Sequence, residues 1–342
     1  MSKLLKRSEK IRQFILTHVG QHPSDIASLA AQKFGITRQG VNKHIKSLVE
    51  QKALIMQGAT KNRIYTLHPL VQWSKTYDLT VKLEEDVIWD LDIRSLLSDL
   101  PDNVKAIWYY SFTEMVNNVI DHSSGEEMIV QVSKTAMDTE IVISDNGEGI
   151  FKKIQRMLNL SDERHAVLEL AKGKLTTDPE NHSGQGIFFT SRMFDRFMIL
   201  SGKVFFSHEF HKIEDWILER EVPHSATTVF MKLDNNTSRS SKQVFDQYSS
   251  GDDYAFTKTI VPVRLAQYGD EKLISRSQAK RLLARVDKFK VVVFDFTDVE
   301  SIGQAFADEV FRVFKRQHLE MEIVSINDNQ EVQQMIRRAE SS

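Results

Sequence analysis

The stretch SFTEMVNNVIDHS, residues Ser111–Ser123, opens the part of the chain that decides its fold. Its apolar residues recur at the spacing of a helix that buries one side. The opposite side carries a polar stripe: Glu114, Asn117, Asn118, Asp121 and His122. The sequence therefore predicts a helix that presents two amides, two carboxylates and an imidazole along one side.

Two further motifs follow in order. IVISDNGEGI, Ile141–Ile150, is an apolar strand that ends in an aspartate followed by glycines at alternate positions. HSGQGIFFTSRMF, His182–Phe194, is a turn with two glycines that leads directly into an apolar helix. Each motif alone occurs in ordinary hairpins and helix faces, whereas their joint occurrence in this order favours a nucleotide-binding domain.

The first motif suits a magnesium nucleotide. Glu114 and Asn118 are four residues apart and share one helix face, and Asp121 and His122, one turn further on, are further candidate ATP contacts beside Asn118. An amide oxygen is a suitable ligand for Mg²⁺, which retains several waters and takes few protein oxygens beside the phosphates. A neighbouring carboxylate can orient or deprotonate the attacking water, so Glu114 is the candidate catalytic residue.

The other two motifs supply contacts to a base and to phosphates. Asp145 can accept a hydrogen bond from an adenine amino group, and Gly147 and Gly149 allow the backbone to approach the base. Gly184 and Gly186 precede a helix, where backbone amides can bind phosphate oxygens.

These motifs resemble those of the Bergerat-fold ATPases of gyrase, mismatch-repair proteins and sensor kinases, the GHKL family, over roughly residues 85 to 235. The family's asparagine box matches Glu114 and Asn118, and its two glycine boxes match the segments at Asp145 and at Gly184. The resemblance implies bound ATP and Mg²⁺, and a late threonine at the adenine site, Thr227 or Thr228. Ala226 stands where the family commonly has glycine. Whether ATP is hydrolysed or only bound stays open.

The composition, 41% hydrophobic and 27% charged over 342 residues, is that of an ordinary water-soluble protein of two or three domains. The chain has no cysteine, so disulfides and thiolate chemistry are excluded. The first residues are charged and lack the apolar core of a signal peptide, and no stretch has membrane-spanning length. We therefore expect a cytoplasmic protein that has no contact with a membrane.

The first 70 residues are basic, with 12 lysines and arginines against 3 acidic residues. Three helices over about 4–19, 24–34 and 37–51, with Ser24 and Thr37 as caps, are followed by two strands and a connecting turn. This order resembles the winged helix-turn-helix domains of bacterial transcription regulators and implies contact with duplex DNA. The candidate DNA-binding residues are Arg38, Gln39, Asn42, Lys43, Lys46, Lys61 and Arg63. A protein-docking role for the same domain stays open.

Residues 151 to 183 lie between the glycine boxes, where the family has a mobile lid over the nucleotide. His165 and His182 in this segment lack metal-type spacing. No histidine lies between Gln72 and Tyr110, where sensor kinases carry a phosphoacceptor, so a self-phosphorylating sensor kinase is disfavoured.

Residues 236–254 are rich in Asn, Ser, Asp and Gly and are predicted to be a linker. Alternating strands and helices follow, which resemble a STAS-like domain related to anti-sigma-factor antagonists. Its phosphoacceptor position falls near Gly303 and Gln304, neither of which can accept phosphate. We therefore expect a regulatory domain to which a protein partner could dock.

The sequence thus predicts an α+β, multidomain protein. It consists of a winged helix over 1–70, an α/β-sandwich ATPase domain with a mixed sheet over 71–235, the linker, and a small STAS-like α/β domain over 255–342. The predicted function is transcriptional regulation in which ATP controls the DNA-binding domain. The alternative is a serine/threonine kinase, like the anti-sigma kinases, that acts on a STAS-domain partner. The oligomeric state, including a homodimer, stays open.

Overall fold

The structure is a computed structural model that describes residues 3–59, 62–175, 184–210, 216–249, 255–267 and 272–341. Within these ranges the chain is a mixed α+β protein with three β-sheets. None of the described helices is long and apolar enough to cross a lipid bilayer.

Three helices and a hairpin form the N-terminal part. Their bounds are α1 (Lys3–His18), α2 (Ile26–Phe34), α3 (Arg38–Glu50), β1 (Leu54–Gln57) and β2 (Ile64–Leu67). The two strands pair antiparallel, with Leu54 opposite Leu67. One apolar cluster joins these elements: Ile11, Ile15, Val19, Ile26, Ala30, Val41, Ile45, Leu48, Ala53, Leu54 and Tyr65. On the three helices the buried residues recur every three or four positions, as expected for helices that bury one side.

The two predicted helix caps have different outcomes. Thr37 caps α3 as expected, and its hydroxyl accepts a hydrogen bond of 3.1 Å from the Gly40 amide. The predicted cap at Ser24 is wrong, because α2 begins one residue later with Asp25 as its N-cap. The Asp25 carboxylate makes no cap hydrogen bond and instead lies 3.1 Å from Nδ1 of His22.

A five-stranded sheet occupies the middle of the chain. Its strands are β3 (Val71–Asp78), β4 (Glu127–Lys134), β5 (Asp138–Asp145), β6 (Arg196–Glu209) and β7 (Trp216–Asp234), in the spatial order β3-β4-β5-β7-β6. Every second residue of β5 is buried, so one face of that strand is covered. Asp145, its last residue, belongs to the buried set.

The helices that accompany this sheet include the longest one of the described chain. A short helix α4 (Glu85–Ile88) continues through a π-helical turn and a 3-10 turn to Leu97. The long helix α5 (Asp102–His122) follows, and α6 (Ile150–Leu158), α7 (Glu163–Lys172) and α8 (Gly186–Met193) come later. Helices α6 and α7 fall in the predicted lid, of which residues 176–183, with His182, lie outside the described residues.

Part of the predicted linker is a helix, which corrects that interpretation. Residues Ser241–Tyr248 form α9, and Val244 and Tyr248 are buried. Ser240 and Gln243 form a capping box, in which each side chain bonds the backbone of the other residue. The polar composition of residues 240–248 therefore belongs to a capped amphipathic helix.

The C-terminal part is a three-stranded parallel sheet with helices. The strands β8 (Lys258–Pro262), β9 (Val291–Asp295) and β10 (Glu322–Ile326) lie in the order β10-β9-β8. The helices are α10 (Arg276–Leu283), α11 (Gln304–Asp308), which continues through a π-helical stretch into α12 (Lys315–Gln317), and α13 (Gln330–Glu340). The alternation of strands and helices was predicted, whereas β8 was not.

The chain divides into two compact units. One comprises Met1–Lys75, Val130–Ile141 and Lys232–Thr237, and the other comprises Thr76–Ile129, Val142–Met231 and Ser238–Ser342. The second unit contains the first and third motifs, the second motif from Val142 onward, and the C-terminal parallel sheet. The domain limits at 70, 235 and 254 stay predictions.

Candidate functional site

Helix α5 places the polar stripe of the first motif on a cavity in the second unit. Trp108, Phe112 and Val116 are buried on this helix and hold it in the core. Among the stripe residues, Glu114, Asn117, Asn118 and His122 line the cavity. Asp121, which was predicted to contact ATP, is exposed and does not line it.

Asp145 ends strand β5 at the same cavity and is held by two backbone amides. Its Oδ1 accepts a hydrogen bond of 2.8 Å from the Gly147 amide and a longer one of 3.4 Å from the Thr227 amide. Position 147 must be glycine, because a Cβ there would lie 1.9 Å from the carbonyl oxygen of Ser123. Gly149 lines the cavity at a φ of 90°, a left-handed value that glycine adopts without strain.

The two candidate threonines point to different partners. The Thr227 hydroxyl accepts a hydrogen bond of 3.0 Å from the Ile150 amide, and Thr227 lines the cavity. The Thr228 hydroxyl lies 2.9 Å from the hydroxyl of Ser144, and Thr228 does not line the cavity. Of the two, Thr227 is therefore the residue placed beside Asp145.

Gly186 brings the third motif against the first. A Cβ on Gly186, the first residue of α8, would lie 2.0 Å from Oε2 of Glu114, so a side chain at position 186 would require the carboxylate to move. Gly184 has a φ of 66°, and a Cβ there would lie 2.5 Å from the backbone of Leu175. Both glycines line the cavity.

The cavity has a volume of about 340 Å³, at the lower end of the range for small-molecule sites. Eight predicted site residues line it: Glu114, Asn118, His122, Asp145, Gly149, Gly184, Gly186 and Thr227. Three do not: Asp121, Gly147 and Thr228. Gly147 still contributes, because its amide positions Asp145.

Lys153 is a lining residue that the sequence reasoning missed. It lies on α6, and its ammonium group donates a hydrogen bond of 2.7 Å to the His122 carbonyl oxygen. The sequence spacing does indicate this position, because Lys153 is four residues after Gly149 and one helical turn returns it to the same side. Apolar walls at Leu170, Leu175 and Phe188 were also missed.

The negative charge of the Glu114 carboxylate affects the pKa of Tyr110, which lies one turn earlier on the same helix. Burial raises the pKa of the Tyr110 hydroxyl, and the negative charge of Glu114 raises it further. Tyr110 is therefore neutral across the physiological range.

Among the described residues no group of three or more histidine, aspartate or glutamate side chains is arranged to hold a metal ion.

The first unit presents a separate candidate surface on α3. All five predicted DNA-binding side chains of this helix are exposed: Arg38, Gln39, Asn42, Lys43 and Lys46. Lys46 lies 3.7 Å from Glu50 in an exposed pair of small energetic weight. Arg63 is exposed next to β2, and Lys61 lies outside the described residues.

Comparison with known proteins identifies the C-terminal part only. Residues 278–333 match the family model of a STAS-like domain of unknown function (DUF4325). No curated protein and no solved structure matches the chain. A STAS-like domain therefore lies at the C-terminal end of the sequence, as the alternation of strands and helices predicted.

The helix start at Gly303, where the resemblance predicted the phosphoacceptor position, is closely packed. Gly303 caps α11, and its amide donates a hydrogen bond of 2.7 Å to the Leu273 carbonyl oxygen. A Cβ on Gly303 would lie 2.7 Å from Cα of Ile274, so no serine fits at this position without a backbone shift. Gln304, the next residue, has no hydroxyl.

Proposed function

We propose that this chain is an ATP-binding transcriptional regulator, in which nucleotide binding at a GHKL-type site controls a DNA-binding winged helix. The observation that carries the proposal is the meeting of three distant motifs at one cavity. Glu114 and Asn118 from α5, Asp145 from β5 and Gly186 from α8 all line it. A hairpin turn or a solvated helix face that arose by chance would not require this convergence.

The residues present fit a magnesium nucleotide. Asp145 is buried and anchored by two amides, which suits a carboxylate that accepts from an adenine amino group. The amides at the start of α8, beside Gly184 and Gly186, suit phosphate oxygens. Asn118 supplies an amide oxygen for Mg²⁺. Gly186 has no side chain, so the start of α8 can lie directly against the Glu114 carboxylate.

Glu114 is the residue proposed to act on water. It shares a helix face and the cavity with Asn118, so a metal-bound phosphate near the amide would lie within reach of its carboxylate. The carboxylate would hold the attacking water and accept its proton. Lys153 adds a positive charge at the cavity, which favours the polyphosphate.

The DNA-binding part of the proposal rests on α3. Its exposed residues include an arginine, a glutamine and an asparagine, which can read base edges, and two lysines, which can contact phosphates. The buried side of the same helix, with Val41, Ile45 and Leu48, packs into the core and keeps these residues outward.

One experiment on the full chain tests both parts. Calorimetry with ATP and ADP in the presence of Mg²⁺ measures nucleotide binding, and an electrophoretic shift of duplex DNA, with and without nucleotide, measures control. We expect nucleotide binding and a nucleotide-dependent change in DNA affinity. DNA affinity that is the same with and without bound nucleotide would contradict the control. Transfer of label from γ-labelled ATP to protein would favour the kinase alternative.

A further inference from the structure

Helix α7 lies between the candidate nucleotide cavity and the STAS-like part of the chain, inside the second unit. All residues from His165 to Lys172 are buried, including the charged Glu169 and Lys172. Leu170 lines the cavity, as does Leu175 just beyond the helix. A helix that is buried on all sides is packed against neighbours on all sides, so its position depends on each of them.

Lys172 is the centre of the contact with the STAS-like part. Its side chain is 1% exposed, and its ammonium group donates to Oε1 of Glu169 at 2.6 Å, to the Arg281 carbonyl oxygen at 3.1 Å and to the Ala284 carbonyl oxygen at 2.8 Å. An ammonium group has three protons, so these three acceptors use its full capacity. A buried cation is tolerated only with such partners.

The two carbonyl groups that accept hydrogen bonds from Lys172 lie at the C-terminal end of helix α10. They belong to the last turn and to the C-cap of α10, where carbonyl groups lack partners within the helix and carry the negative end of its dipole. A cation from another segment fits this helix end. Burial lowers the pKa of Lys172, and Glu169 opposes that shift.

Further contacts surround the C-terminal end of α7. Arg285 donates a hydrogen bond of 2.8 Å to the Lys174 carbonyl oxygen, and its Nε lies 3.5 Å from Oε2 of Glu169. The Thr259 hydroxyl donates to the Lys172 carbonyl oxygen at 2.8 Å. The Lys174 ammonium group donates to the Lys288 carbonyl oxygen at 2.7 Å. Carbonyl groups at this helix end therefore find partners in β8 and in the STAS-like part.

We infer that the STAS-like domain controls ligand affinity at the cavity by fixing α7, with Lys172 and Arg285 as positioning residues. The inference rests on the proposed function only for the identity of the ligand as a nucleotide. Any partner that loosens or tightens α10 and the residues after it would move the wall at Leu170 and Leu175. Because energetic coupling is reciprocal, a ligand in the cavity must also stabilise the contact with α10 to the same degree.

The test uses the full chain and a matched pair of arginine variants. Arg285→Ala removes a contact with α7, whereas Arg276→Ala removes an arginine of α10 whose nearest acidic partners, Asp308 and Glu309, lie 3.9 Å away within the STAS-like part. Thr259→Val provides a second disruption without a change in charge. Hydrogen exchange is followed in residues 163–175 and in the cavity segments 114–122 and 184–190, and ADP affinity is measured by calorimetry.

We expect Arg285→Ala and Thr259→Val to speed exchange in all three segments and to weaken ADP binding at least about fivefold. Arg276→Ala should leave both unchanged. In the wild type, ADP should slow exchange in residues 276–289. Faster exchange in 163–175 alone, with cavity segments and ADP affinity unchanged, would overturn the inference. If the wild type binds no nucleotide, the proposed function fails, and exchange in the cavity segments still decides the coupling.

Discussion

Gly186 packs directly on the carboxylate of Glu114, so closely that a single added carbon would lie 2.0 Å from Oε2. The contact joins the start of α8 to the middle of α5, two elements that are far apart in the sequence. A side chain at position 186 would therefore displace the Glu114 carboxylate from its place beside the glycine motif.

Gly186→Ala should therefore weaken ADP binding at least about tenfold and lower stability by about 1–3 kcal/mol, because the added methyl group forces the carboxylate aside. Calorimetry and thermal unfolding measure the two effects. Glu114→Asp in the same chain should restore part of the stability, since its side chain is one methylene shorter. Gly20→Ala is the control, because no atom lies within 4 Å of its added carbon.

Asp145→Asn should weaken ATP and ADP binding by about 1.5–3 kcal/mol, since it removes the charge from a buried acceptor of a hydrogen bond. Calorimetry of the full chain measures the change. Asp121→Asn provides the comparison, because Asp121 is exposed and does not line the cavity. Unchanged affinity in the Asp145 variant would refute the adenine contact.

Glu114→Gln should retain nucleotide binding and slow any hydrolysis by about 10²–10⁴, since glutamine keeps the size of the side chain and loses the base. Phosphate release under excess ATP measures the rate. Equal rates in both proteins would show that Glu114 is not the base. If neither protein turns over, ATP acts as a ligand that selects one state of the protein.

DNA binding should fall steeply with salt concentration and respond differently to two substitutions on α3. Arg38→Ala should relax base preference, with a loss of about 1–3 kcal/mol on the preferred sequence. Lys46→Ala should weaken all sequences alike and reduce the salt slope by about one, and Lys61→Ala should act the same way. Fluorescence anisotropy with two duplexes measures these effects, with Lys105→Ala, in the other compact unit, as the control. Full-length protein that leaves DNA unshifted at low salt would indicate a protein-docking domain instead.

Acid should destabilise the protein through His165. Burial lowers the pKa of this histidine to about 4 from an ordinary 6.5, with further lowering by Arg281, Lys172 and Arg164 and an opposite effect of Asp162. Between these two values the unfolded chain binds more protons than the folded one, so stability falls as the pH drops from 6.5 towards 4. Thermal unfolding at several pH values should show this slope in the wild type, and less of it in His165→Gln and Arg281→Ala. Identical slopes in all three proteins would exclude His165 as the source.

Local patterns were sufficient for much of the fold. The spacing of apolar residues predicted α5 and α3, Thr37 marked the start of α3, and the alternation of strands and helices predicted two of the three strands of the C-terminal sheet. These features depend on residues within one or two turns of each other, which a sequence displays directly. The capping box at Ser240 was equally readable, and the polar composition around it concealed α9.

Other features depend on residues that are distant in the sequence, so local patterns could not predict them. The choice between Thr227 and Thr228 is set by which of these neighbouring residues of β7 lies on the cavity side of the sheet, and a shift of one residue would exchange them. Glu169 and Lys172 have the composition of a solvated helix face, and their burial follows from partners more than a hundred residues away at Arg281 and Ala284. A local sequence pattern does not identify a partner at such a distance along the chain.

The close packing at Gly303 determines whether this helix start can be regulated by phosphorylation. A serine phosphorylated at this helix start would keep its phosphate until a phosphatase removed it, and would so retain the effect of a past signal. With Ile274 packed against Gly303 and glutamine next in the chain, this position can retain no such effect. Neither Gly303 nor Gln304 can carry a phosphate, so any control exerted through this helix start would have to act by reversible binding.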